Sequence, residues 1–234
     1  MNIEICFTPQ EYRAECFMGY TAVVIDVFRA TTSIATAFYH GCHAIIPVET
    51  VEQAFAQKEA VYPEAILAGE RQGLLIPGFQ LGNSPQEYTC EKVKGRIIIM
   101  TTTNGTVALH KTLETPQVYT VGFVNAMAVC LKLQSENKNV VILCAGTEGS
   151  FSLEDTLCAG LIADRLSSDA VLTDKAMAVQ GMYRGFRLNM LKRVAQSSHA
   201  RYLAQIGFTQ DIKLCMEQDI FAVTPVFCKG ILTV

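Results

Sequence analysis

Residues 96–109 read "RIIIMTTTNGTVAL". Three isoleucines and a methionine follow Arg96 without polar alternation. Such a run reads as a strand buried on both faces. It stops at Thr101, Thr102, Thr103, Asn104, Gly105 and Thr106, then resumes with helical spacing. A buried strand that turns through hydroxyls and glycine into a helix is the repeating unit of a parallel α/β sheet.

The same figure occurs at "VVIDVFRATTSIATA" (23–37) and at "VVILCAGTEGSFSLEDTL" (140–157). Further strand-length apolar runs are "HAIIPV" (43–48), "AILAGE" (65–70) and "QVYTVGF" (117–123). Helix-period segments lie between them, one opened by Thr50 and Gln53 at capping-box spacing. Residues 169–218 read as mainly helical, with a start at Ser197 or Ser198 and a stop at Gly207. The tail "AVTPVFCKGILTV" reads as two short strands about Lys229-Gly230, and Pro225 favours a sheet edge. The expectation is a three-layer α/β/α fold with a largely parallel or mixed sheet and a helical C-terminal third. With no linker and no low-complexity stretch, residues 1–234 read as a single compact domain.

Composition narrows the function. Half of the residues are apolar, 18% are charged and the net charge is −3, which gives no basic footprint for nucleic acid. No apolar run approaches the ~18 residues of a membrane span, and no basic head with an apolar stretch opens the chain. Nine cysteines stand singly, with no CxxC pair, and read as reduced thiols of a cytoplasmic protein. Four histidines without cysteine partners at ligand spacing make a zinc site unexpected. The apolar fraction allows a homodimer interface without requiring one.

Ligands of open α/β sheets bind beyond the carboxyl ends of the strands, so the polar loops are expected to converge. They carry Asp26, Arg29, Thr31, Thr32 and Ser33; Glu70 and Arg71; Asn83 and Ser84; Thr101 to Thr106; and Gly146, Thr147, Glu148, Glu154 and Asp155. Hydroxyls and helix N-termini suit an anion, and arginines pair with phosphate, carboxylate or sulfonate oxygens. Carboxylates beside such a site call for a cation, and Mg²⁺ favours one or two carboxylates with waters and substrate oxygens. The set reads as a site for a small phosphorylated acid with a hard metal, its ligands drawn from Asp26, Glu70 and Glu148.

Each motif also has a plainer reading. "TTTNGT" alone is a capped strand-to-helix turn. Asp26 in "VVIDVF" is expensive to bury unpaired, and its structural alternative is an ion pair with Arg29. Glu154 and Asp155 serve equally as complements to a helix dipole. His199 reads as a surface or cap residue. "YRGFRLNMLKR" (183–193) is a solvated face or a source of Arg184 or Arg187 for a charged ligand. P-loop, Rossmann and nucleophile-elbow signatures are not present.

Taken together, "VVIDVFRATTSI", "GERQGLLIPGFQLGNSPQEY", "TTTNGT", "CAGTEGSFSLEDTLCAG" and "IGFTQDIKLCMEQD…VTPV" resemble the 2-phosphosulfolactate phosphatase family over nearly the whole chain. The resemblance implies an α/β/α phosphoric monoester hydrolase, dependent on Mg²⁺, that converts 2-phosphosulfolactate to sulfolactate and phosphate. In methanogens such enzymes serve coenzyme M biosynthesis. Gln80 stands where the family commonly has Asp, so no ligand is assigned there. The combined expectation makes Asp26, Arg29 and Glu70 catalytic. Thr31, Thr32, Ser33, Arg71, Asn83, Ser84, Thr101, Thr102, Thr103, Asn104, Gly105, Thr106, Gly146 and Thr147 bind substrate. Asp26 is left as metal ligand, nucleophile or base. The alternatives are a phosphatase for another small 2-phospho-acid and a non-catalytic binder of an acidic metabolite.

Overall fold

The computed structural model describes residues 1–234. Its strands are β1 (Asn2–Cys6), β2 (Thr21–Ile25), β3 (Ala44–Pro47), β4 (Ile66–Arg71), β5 (Leu74–Leu75), β6 (Ile97–Thr101), β7 (Val118–Val121), β8 (Val140–Cys144), β9 (Val171–Leu172), β10 (Val226–Cys228) and β11 (Ile231–Thr233). Its helices are α1 (Ala30–Tyr39), α2 (Val51–Ala60), α3 (Cys90–Val93), α4 (Gly105–Lys111), α5 (Ala126–Glu136), α6 (Leu153–Leu166), α7 (Asp174–Phe186), α8 (Met190–Val194), α9 (Ser198–Gln205) and α10 (Thr209–Cys215).

All strands join one mixed, largely parallel sheet in the order β5-β4-β6-β3-β11-β10-β7-β2-β8-β1-β9. β4, β6 and β3 form one parallel block. β7, β2, β8, β1 and β9 form another. The six apolar runs of the sequence are β2, β3, β4, β6, β7 and β8. Successive side chains of a strand enter opposite layers. Val23, Ile25, Tyr119, Val121, Ile142 and Cys144 pack with α5, α6 and α7. Ala22, Val24, Val118, Val141 and Leu143 pack with Ile34 and Phe38 of α1 and Leu109 of α4. In the other block Ile45 and Ile98 share that second layer, while Ile46, Leu67 and Ile99 back onto Ala54 of α2.

Besides the added two-residue strands β5 and β9, the chain start and the tail differ from expectation. β1 was not foreseen: "NIEIC" alternates, and its Asn2 and Glu4 obscure the buried Ile3 and Ile5. The tail hairpin is not at an edge. β10 and β11 lie between the two parallel blocks, antiparallel to β7 and β3. Pro225 is tolerated because it precedes β10 and contributes only its carbonyl, which accepts the Thr120 N–H at 3.1 Å. The β3–β11 link is a single residue pair, Leu232 with Ile45. The core layer shared by the two blocks and the loop contacts across them therefore supplement this short strand pairing.

Phe227 is 1% exposed at this seam. Phe227→Ala is expected to cost about 3–5 kcal/mol in urea unfolding, as for a core aromatic; an edge residue would lose little.

Candidate active site

The loops after β2, β4, β6 and β8 converge on a cleft of about 300 Å³. It is lined by Asp26, Arg29, Glu70, Arg71, Asn83, Thr103, Asn104, Thr147 and Glu148 from the expected set, with Phe28, Gln72, Gly73, His199, Tyr202 and Leu203 in addition. The volume, at the small end of ligand pockets, suits a small metabolite.

Asp26 follows β2 directly and is 4% exposed. Burial pushes its carboxyl up to about 7; His199 pulls against this and Glu70 adds to the rise. Gly105, the first residue of α4, lies against it: a Cβ there would come within 2.6 Å of Asp26 Oδ2 and 2.5 Å of Ala30 Cβ. Only glycine lets the α4 N-terminus approach this carboxyl so closely. The ion pair suggested for Asp26 and Arg29 does not form. Arg29 Nη1 donates to Asp211 Oδ2 at 2.8 Å, Nη2 donates to the Gly73 carbonyl at 2.6 Å, and the guanidinium lies over the Phe208 ring. Asp211 also accepts from Ser84 Oγ and Gln86 Nε2, both at 2.7 Å.

Glu70 binds the loops together: its two oxygens accept the N–H groups of Gly73 and Thr103 at 2.7 and 2.8 Å. Arg71 donates to Thr101 Oγ1 at 2.9 Å and to the Glu70 carbonyl at 2.8 Å. Asp155 accepts from Val27 N–H at 2.8 Å and Gly146 N–H at 3.1 Å, clamping the β2 and β8 loops to the start of α6. Burial, with the charges of Asp26 and Glu154, holds its carboxyl well above the usual range. Asp155 is therefore scaffold, whereas Glu154 faces the cleft through His199.

Many expected ligand hydroxyls are instead committed to the backbone. Thr31 Oγ1 bridges the carbonyls of Asp26 and Val121 at 2.8 and 2.7 Å. Thr32 Oγ1 donates to Val27 O and Ser33 Oγ to Asn83 O. Thr102 and Thr106 cap each other: each Oγ1 accepts the other's N–H at 3.1 Å. These five, with Thr101, Ser84 and Gly146, do not line the cleft; they are buried beneath it. Gln80 Oε1 likewise accepts Leu67 N–H. Thr103 and Asn104 do line it, and Asn104 Oδ1 accepts Glu148 N–H at 3.0 Å. Arg184 binds Asp164, and neither it nor Arg187 lines the cleft.

His199, expected as a surface or cap residue, is a cleft residue. Its side chain is 16% exposed and Nδ1 is 2.9 Å from Glu154 Oε1 and 3.3 Å from Thr147 Oγ1. Burial pulls the imidazolium down, but the Glu154 hydrogen bond and the Glu154 and Asp26 charges outweigh it, leaving the pKa raised. Ser197, the cap of α9, was the one legible signal near it.

Three carboxylates thus face two guanidiniums, one already neutralised by Asp211, so the cleft alone would repel a multiply charged acid. That donor set fits a hydrated Mg²⁺ held by one or two carboxylates. It does not form a three-carboxylate cage: Asp26, Glu70 and Glu148 do not gather at ligand spacing, and Glu148 is exposed on the rim.

A buried carboxyl and two arginines in a cleft at the carboxyl ends of α/β strands are an arrangement suited to a small anionic ester. A family model of 2-phosphosulpholactate phosphatases matches residues 6–230. A protein of Caldanaerobacter subterraneus subsp. tengcongensis named "Probable 2-phosphosulfolactate phosphatase" is 42% identical over 212 residues, covering 89% of this chain and 88% of that one. Likewise named proteins of Clostridium acetobutylicum and Thermotoga maritima are 39% and 40% identical, over 98% and 90% of this chain and 99% and 90% of theirs. The chain belongs to the 2-phosphosulpholactate phosphatase family, a family of phosphoric monoester hydrolases.

Two outcomes test this geometry. In chelator-containing buffer, the raised Asp26 pKa makes its contribution to stability undiminished below about pH 4, falling as pH rises toward 7 and level above. Asp26→Asn is therefore expected to melt several degrees above wild type at pH 8 and no higher at pH 4. Thr106→Val, which removes the reciprocal cap, is expected to cost about 1–2 kcal/mol of stability, while Thr103→Ala leaves stability within about 0.5 kcal/mol in the same unfolding assay.

Proposed function

We propose that this protein hydrolyses the phosphate ester of 2-phosphosulfolactate to sulfolactate and phosphate, in a reaction that requires Mg²⁺, in the cytoplasm. The observation that carries the reading is Asp26, buried against the N-terminus of α4 in the same cleft as Glu70, Arg29 and Arg71. Family membership and the names of the relatives support the substrate. Nine free thiols, six of them buried, suit a reducing compartment.

Asp26 and Glu70 would hold the metal, which when bound supplies positive charge against the phosphate oxygens. Arg29 and Arg71 orient the substrate: their guanidiniums match the planar carboxylate and the sulfonate as well as phosphate. Arg29 is fixed before substrate arrives, because Asp211, Gly73 and Phe208 immobilise it. Thr103 and Asn104, at the α4 entry, add neutral donors that do not compete for the metal. Glu70, by binding Gly73 and Thr103 N–H, keeps the β4 and β6 loops at fixed separation around the ester.

Purified protein is expected to release phosphate from 2-phosphosulfolactate with Mg²⁺, faster than from 2-phospholactate and other small 2-phospho-acids, and chelation is expected to stop it. Folded protein that releases nothing from any of these would overturn the reading; ligand-induced thermal stabilisation without turnover would instead indicate a binder. Asp26→Asn is expected to lower kcat by about 10²-fold or more.

A further inference from the structure

We propose that His199 is a catalytic residue, the proton donor to the ester's leaving oxygen, and that Glu154 is its positioning residue; the assignment rests on the phosphatase reading above. Nothing in the sequence pattern ties these residues together, since they are 45 positions apart. The structure joins them at 2.9 Å through Nδ1. Glu154 is 1% exposed, so its carboxylate is not available for solvation and is committed to the imidazole. Thr147 Oγ1 lies 3.3 Å from the same nitrogen, and the edge-on contact with Phe28, 5.9 Å between ring centres, fixes the ring plane.

A buried carboxylate on one imidazole nitrogen selects the tautomer and leaves the other to act. With Nδ1 taken up by Glu154 and Thr147, Nε2 is the nitrogen left for the cleft that His199 lines. The groups facing the imidazole are Glu154 from α6, Asp26 from the end of β2 and Arg29 from the start of α1. Burial and the guanidinium disfavour the imidazolium, and the Glu154 hydrogen bond with the Glu154 and Asp26 charges favours it more, so the pKa of the ring is raised.

The chemistry needs such a group. The leaving oxygen is a secondary alkoxide, a poor leaving group unless protonated. In the proposed step the bond between phosphorus and the bridging oxygen breaks, its electron pair remains on that oxygen, and the oxygen takes the Nε2 proton. The oxygen of a water molecule bonds to phosphorus. The water brings two protons, so the first product is dihydrogen phosphate, which returns one proton to the neutral imidazole. Sulfolactate and hydrogen phosphate leave, and His199 is protonated again.

The test compares the natural oxygen ester with two esters whose leaving groups need no proton: the analogue of 2-phosphosulfolactate bridged by sulfur, and 4-nitrophenyl phosphate. His199→Asn is expected to lose about 10²- to 10³-fold in kcat on the oxygen ester and less than about 10-fold on the other two. Glu154→Gln is expected to show the same ordering with a smaller loss. Equal losses across all three esters in both variants, with melting temperatures unchanged, would overturn the proposal and leave the pair as scaffold. Wild-type protein that cleaves none of the three would instead sink the phosphatase reading.

Discussion

The cleft is organised around one carboxyl, that of Asp26, held out of water at the junction of four loops. A buried acid is costly unless its surroundings are built for it. Here the surroundings are the α4 N-terminus, brought within contact by Gly105, and the β2 loop, held by Asp155. The same clamps hold the rest of the cleft. Asp155 ties Val27 to Gly146, Glu70 ties Gly73 to Thr103, and Asp211 ties Arg29 to Ser84 and Gln86. Each clamp is a carboxylate accepting from donors of different elements; those of Asp155 and Glu70 each work within one parallel block, and that of Asp211, through Arg29, joins the two where a small anion would enter.

This arrangement divides the labour of "TTTNGT". Thr101 receives Arg71, Thr102 and Thr106 cap α4, Gly105 admits Asp26, and only Thr103 and Asn104 reach the cleft. The hydroxyl-rich loops are therefore mostly the inner surface of the site. Their role is to satisfy backbone groups that a sharp strand-to-helix turn leaves open. The ligand meets the arginines, carboxylates and imidazole that this inner surface supports.

The fold was legible because parallel strands buried on both faces are written as continuous apolar runs, and "RIIIM", "AVVIDV" and "VVILC" leave little other reading. β1 was hidden by its alternation, and the tail hairpin was misplaced because Pro225 says only that a strand N–H is missing, not where the strand lies. The site was half legible. Asp26, Arg29, Glu70 and Arg71 stand out as charges inside or just after apolar strands. The hydroxyls could not be sorted, since a cap and a ligand donor use the same atoms in the same turn. Asp211 carried no local mark and His199 only the nearby cap at Ser197: Arg29 and Asp211 are 182 residues apart, His199 and Glu154 45, and the meaning of each lies in its partner.

In the proposed reaction the cleft bounded by Asp26, Glu70, Arg29 and Arg71 receives the phosphoryl group. A crystal structure with Mg²⁺ and a non-hydrolysable phosphonate analogue of 2-phosphosulfolactate tests it most directly. The phosphonate is expected beside Asp26 and the α4 N-terminus, with the carboxylate and sulfonate toward the arginines. An analogue bound elsewhere, for example in the groove lined by Ile46, Val48 and His110, with this cleft open to solvent, would contradict it.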